Sequence, residues 1–87
     1  MIDVVRTNCH YCTDMERDVL RKPQMSKYLG EKFIPVKINL DKETLPLGLK
    51  VHFTPTFIFV DKDENILKKI PGSWSEKDFK ELTTAIK

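Results

Sequence analysis

No stretch of this 87-residue chain approaches the ~18 consecutive apolar residues of a membrane-spanning helix, and the N-terminus lacks the basic and apolar regions of a signal peptide. Basic charge is equally unconcentrated. Fifteen Lys and Arg against thirteen Asp and Glu leave a net charge of +2, and a pair such as Lys68-Lys69 is as long as a basic run becomes. That excludes a phosphate-tracking stripe, so no nucleic-acid partner is expected. With three Gly and five Pro there is no repeat, low-complexity tract or linker. Cysteine occurs only twice. What is present, 40% hydrophobic and 32% charged residues, is ordinary globular composition, and the length allows one core. We therefore expect a single domain over residues 1–87, with no membrane insertion.

Ile2 to Arg6 is a short β-branched strand pattern. From Cys9 the period changes: Cys12, Met15 and Val19 fall at helical spacing while charged residues fill the other faces. Pro23 interrupts this helix, and Met25, Tyr28 and Leu29 add a turn or two before Gly30. Ile34, Val36, Ile38 and Leu40 then alternate with polar or imino residues, and Pro35 and Lys37 suit a sheet edge. Residues 42–51 carry Leu45, Leu47, Leu49 and Val51 around Pro46 and Gly48, which reads as a short irregular helix. Thr56–Val60 has the apolar run of a strand buried on both faces, and a polar hairpin loop leads to Ile66–Ile70. Ser75-Glu76-Lys77-Asp78 has capping spacing ahead of the stripe Phe79, Leu82, Ile86. The expected order is β-α-β-α-β-β-α, an α/β fold with a mixed sheet.

The two cysteines form a C-x-x-C, Cys9-His10-Tyr11-Cys12. As a structural staple it is weak, because closing so short a loop contributes only about 2 kcal/mol. Zinc needs four ligands in a structural site, and beyond Cys9 and Cys12 only His10, His52 or carboxylates are on offer. A metal-carrying module using the pair and a histidine stays open as the alternative. Thr13 after the second cysteine excludes covalent haem attachment. The redox reading accounts for position as well as spacing. At a helix N-terminus, unpaired amides and the dipole pull the Cys9 thiol below its usual ~8.5, and a fall of two units needs only about 2.7 kcal/mol. Cys9 is then the nucleophile. Cys12, at the head of the apolar stripe, faces inward and resolves the mixed disulfide.

With Thr54-Pro55-Thr56 ahead of the apolar strand and some forty residues after the pair, the chain resembles the thioredoxin superfamily. The resemblance implies a minimal thioredoxin fold, a mixed four-stranded sheet flanked by helices. It also implies a cis Pro55 lying against the cysteines, with the Thr54 backbone offering hydrogen bonds to an extended substrate. Asp3, six residues before Cys9, matches the buried Asp that thioredoxins use to relay a proton for the inner cysteine. Its other reading is a solvated residue near a frayed terminus.

Asn8 stands where thioredoxins carry Trp, and His10-Tyr11 replace Gly-Pro. Tyr11 with Thr54, and the segments Cys9 to Glu16 and Phe33 to Val36, are more similar to bacterial envelope reductases and isomerases. The site set implied is Cys9, Cys12 and Asp3 for chemistry, and Thr54, Pro55, His10 and Tyr11 for substrate. His10 is either a charge beside the Cys9 thiolate or an exposed helix residue, and His52 reads as surface. No cofactor is called for. The expected partners are disulfide-containing or dithiol proteins and an upstream thiol–disulfide electron donor, and the chain is expected to act as a monomer. Met1 falls inside the first core strand, which implies a glutaredoxin-sized form or a chain without the leading strand and helix of full thioredoxins. The envelope is the favoured compartment if a signal has been removed, the cytoplasm otherwise.

Overall fold

In the computed structural model, which describes residues 1–86 with the side chain of Leu47 excepted, the alternating apolar segments form a single mixed sheet. Its strands are β1 (Ile2–Val5), β2 (Val36–Asn39), β3 (Thr56–Val60) and β4 (Ile66–Pro71), in the spatial order β2-β1-β3-β4. β1 and β2 are parallel, with Asp3 opposite Lys37. β3 runs antiparallel to both β1 and β4, pairing Val4 with Thr56 and Thr56 with Pro71. Pro35 and Lys37 border or lie on β2, at the sheet edge where a missing donor and a solvated charge cost least.

The two-residue period of the strands separates two cores. Phe57 and Phe59 face the helices, where they join Met15, Val19, Met25, Leu29, Ile70, Phe79 and Ile86. Ile2, Val4, Ile38 and Ile58 face the other way. The helical layer consists of α1 (His10–Met15), α2 (Pro23–Lys32) and α3 (Glu76–Thr84). α1 runs on into a wider turn over Glu16–Leu20, in which the Arg21 amide donates to the carbonyl of Glu16, five residues back, at 2.9 Å. Pro23 starts α2 rather than merely interrupting one helix. It occupies the first turn, where its missing N–H has no intrahelical acceptor in any case. Ser75 caps α3 by accepting from the Asp78 amide at 3.2 Å, and Glu76 and Asp78 complement the dipole there.

The expected helix over residues 42–51 is corrected to a single 3-10 turn, Pro46–Gly48. Gly48 takes φ +66°, which ends any helix. The apolar residues of the segment have another use: Leu45, Leu49 and Val51, with Leu40, pack over the second core as an irregular cover. Leu47's side chain and Lys87 lie outside the described residues. No helix is long and apolar enough to cross a membrane among the described residues.

The edge-to-face pair Phe57–Phe79, with ring centroids 4.8 Å apart and both residues fully buried, clamps α3 to the central strand. Phe79→Ala should cost about 3–5 kcal/mol of unfolding free energy. Urea titration checks this, and a loss under about 1 kcal/mol would show that the clamp is not structural.

Candidate active site

β1 ends at Val5, and a short turn carries the chain to Asn8, whose backbone is left-handed at φ +59°. Asn tolerates that conformation better than most residues. The chain then reaches Cys9, which is the N-cap of α1, with its Sγ accepting from the Cys12 amide at 3.1 Å. Cys9 and Cys12 form a disulfide across a Cα–Cα distance of 5.2 Å. Cys9 is half-buried, while Cys12 is only 8% exposed.

The second half of the site comes from the start of β3. The Thr54–Pro55 peptide is cis and Pro55 is fully buried. The Thr54 hydroxyl donates to Cys9 Sγ at 3.3 Å, and that sulfur lies 3.6 Å from the Thr54 carbonyl oxygen. Two polar hydrogens, the Cys12 amide and the Thr54 hydroxyl, are thus directed at one sulfur. Thr56 ties the loop down by donating to the Phe53 carbonyl at 2.6 Å.

A third contribution is the segment after β4, where the Gly72 amide donates to the Pro55 carbonyl at 2.8 Å. Together these segments line an open hollow of about 360 Å³ formed by Tyr11, Phe53, Thr54, Pro71, Gly72 and Ser73. Tyr11 is 65% and Phe53 71% exposed, large apolar surfaces left in water beside Thr54 and the Cys9 sulfur it donates to. Phe53 carried no assigned role in the sequence; its position just before Thr54-Pro55 was the available signal. His10 is exposed and directs Nε2 to Asp14 at 3.1 Å. His52 is exposed as well.

Asp3 borders a hollow it shares with Glu16, Leu20 and Leu29 and is only 5% exposed, so it is not a frayed terminal residue. Among the described residues its Oδ1 has no hydrogen-bond partner. Burial pushes its carboxyl up from the usual 3.8 to about 6, Lys37 opposing and Glu16 assisting the rise. Lys37 Nζ pairs with Glu16 Oε2 at 3.3 Å. These two residues line both a hollow of about 220 Å³ containing Asp3 and one of about 250 Å³ containing Cys12. Glu16 and Lys37 were read from the sequence as part of a helix motif and as an edge residue. Only the sheet register, which sets Lys37 opposite Asp3, joins them.

A family model described as a thioredoxin-like domain matches residues 1–87. The chain belongs to this family. The solution structure of a thioredoxin from Thermus thermophilus is similar, with a TM-score of 0.75 and 29% identity over 95% of this chain and 69% of that one. No curated protein matches the chain. Membership of the thioredoxin-like family, together with a bonded cysteine pair at a helix start, supports a thiol–disulfide redox role.

The raised Asp3 carboxyl makes folding pH-dependent in a definite direction. Below about 4 both native and unfolded chains hold the proton; between about 4 and 6 the unfolded chain has lost it and the native chain has not, so stability falls as pH rises. Above about 6 the penalty is constant, at roughly 3 kcal/mol for a rise of two units. Asp3→Asn should remove that decline. Urea unfolding at pH 4 and pH 7 measures it, and an unchanged slope in the variant would assign the pH dependence to other groups.

Proposed function

We propose that this protein is a thiol–disulfide oxidoreductase of the reductase or isomerase type acting on protein substrates. The observation that carries the reading is the Cys9 sulfur, half-buried at the start of α1 with the Cys12 amide and the Thr54 hydroxyl donating to it. Such donors stabilise a thiolate more than a thiol, which favours both attack by Cys9 and its departure as a leaving group.

In the reductive direction, the Cys9 thiolate of the reduced protein attacks one sulfur of a substrate disulfide. The substrate S–S bond breaks, a mixed disulfide forms, and the departing substrate thiolate takes a proton from water. Cys12 then loses its proton, with buried Asp3 as the acceptor, and attacks the Cys9 sulfur. This releases the second substrate thiolate and leaves the Cys9–Cys12 disulfide, the state found here. Two electrons have passed to the substrate, so a dithiol protein must supply two to restore the pair. Asp3 suits the acceptor role because a carboxyl held near 6 exchanges protons close to neutrality.

Substrate would lie as an extended segment along Thr54 and Pro55, its apolar side chains against Tyr11 and Phe53. His10, paired with Asp14, would border this segment from the solvent side. The reading takes residues 1–87 as one domain acting as a monomer. The metal-carrier alternative lacks a supporting observation: among the described residues no three His, Cys, Asp or Glu side chains are grouped to hold an ion.

Cys9→Ser should abolish reduction of insulin or a model disulfide by at least about 1,000-fold, because no other thiol occupies the helix start. Cys12→Ser should instead accumulate mixed disulfides through Cys9, visible by mass spectrometry. Full activity in Cys9→Ser would end this mechanism. The direction of electron flow is read by equilibrating the pair with glutathione: a potential nearer about −270 mV fits a reductase, and one near about −120 mV an oxidant, against the proposal.

A further inference from the structure

The hollow beside Cys9 has walls from three separate segments, and their mutual position is not given by the sheet alone. The wall from residues 71–74 is held internally, since Trp74 Nε1 donates to the Pro71 carbonyl at 2.9 Å. It is held to the Thr54–Pro55 loop by the Gly72 amide. Gly72 takes φ +93°, so the chain turns there with a backbone that a side chain would strain. What joins this wall to α1, which carries Tyr11 and both cysteines, is a thioether. Met15 is 1% exposed on the inward face of α1, three residues after Cys12. Its Sδ lies 3.4 Å from the Trp74 amide nitrogen and 3.9 Å from Ser73 Oγ. Among the described residues no other hydrogen bond joins residues 71–75 to residues 8–20.

A thioether is suited to this position. Met15 belongs to the apolar core with Val19, Phe57 and Phe79, where a carbonyl or hydroxyl would need several partners, while a neutral sulfur accepts one N–H without requiring more. We propose that Met15 is a positioning residue for the substrate groove, in which its sulfur, through the Trp74 amide, sets the distance between the 71–74 wall and the helix bearing Cys9. This rests on the proposed protein-disulfide activity. The effect of Met15 is on docking: a loosened wall has to be ordered by the substrate, which weakens binding without altering the cysteines.

The test compares Met15→Leu with Met25→Leu. Both replace a buried methionine of the same core by a side chain of similar volume, but the Met25 sulfur has no hydrogen-bond partner among the described residues. In Met15→Leu, KM for a protein disulfide should rise roughly fivefold with kcat within twofold, so the efficiency ratio of protein to small-molecule disulfide falls by the same factor. Met25→Leu should leave that ratio unchanged. Amide exchange followed by NMR should show the Trp74 N–H exchanging faster in Met15→Leu and not in Met25→Leu. Equal effects in the two variants, an unchanged KM, or an unchanged Trp74 amide would each overturn the proposal. If the wild-type protein reduced no disulfide, the activity reading would fall, and the Trp74 exchange rate would still decide whether the sulfur holds the wall.

Discussion

The antiparallel pairing of β3 with both β1 and β4 is the constraint on which the rest of the site depends. Because Val4 lies opposite Thr56 and Thr56 opposite Pro71, the end of β1, the start of β3 and the end of β4 meet at one end of the sheet. The cysteine pair follows β1, Thr54-Pro55 precedes β3, and Gly72 to Trp74 follow β4. Segments far apart in sequence therefore gather around the cysteine pair, and the buried aromatic pair Phe57–Phe79 holds the strand that orders them. Rigid strands place such groups more closely than loops would, since each loop is anchored within a few residues of a hydrogen-bonded ladder.

Perpendicular to the sheet, the same strands distribute polarity. The period of β1 sends Ile2 and Val4 to one core and Asp3 to the helical face, beside Glu16, Leu20 and Leu29. A carboxyl there is costly when charged, and the two members of the nearby Lys37–Glu16 ion pair act on it in opposite senses. The fold thus keeps a proton-holding group in its interior at some expense in stability. An apolar residue would pack the position more cheaply, and this supports the proton-accepting role proposed for Asp3.

Much of the architecture was legible in the chain because local periodicity and burial agree there. The apolar run of β3, the Cys12-Met15-Val19 stripe, the Ser75 cap and the edge character of β2 each correspond to the observed elements. Residues 42–51 do not form the expected helix because Leu45, Leu49 and Val51 are partly buried against the back of the sheet from an irregular path that Pro46 and Gly48 impose. The apolar pattern reports that a segment is covered; it does not distinguish a helix from a folded loop when the spacing is short. Pro23 was read as a break, yet the same lack of an N–H that ends one helix suits the first turn of the next.

The sequence by itself determined the chemistry available: two thiols separated by two residues, an amphipathic helix after the first, a Thr-Pro before a buried strand, and an acid six residues upstream. Those are local patterns, readable because the helix and strand periods are local. Tertiary structure alone decided what surrounds them. That Thr54 donates to Cys9, that Glu16 and Lys37 line the hollows of both Asp3 and Cys12, and that Met15 reaches Trp74 all depend on strand register and helix docking. Those arise from the summed burial of two cores, a non-directional force that no single stretch of the chain carries.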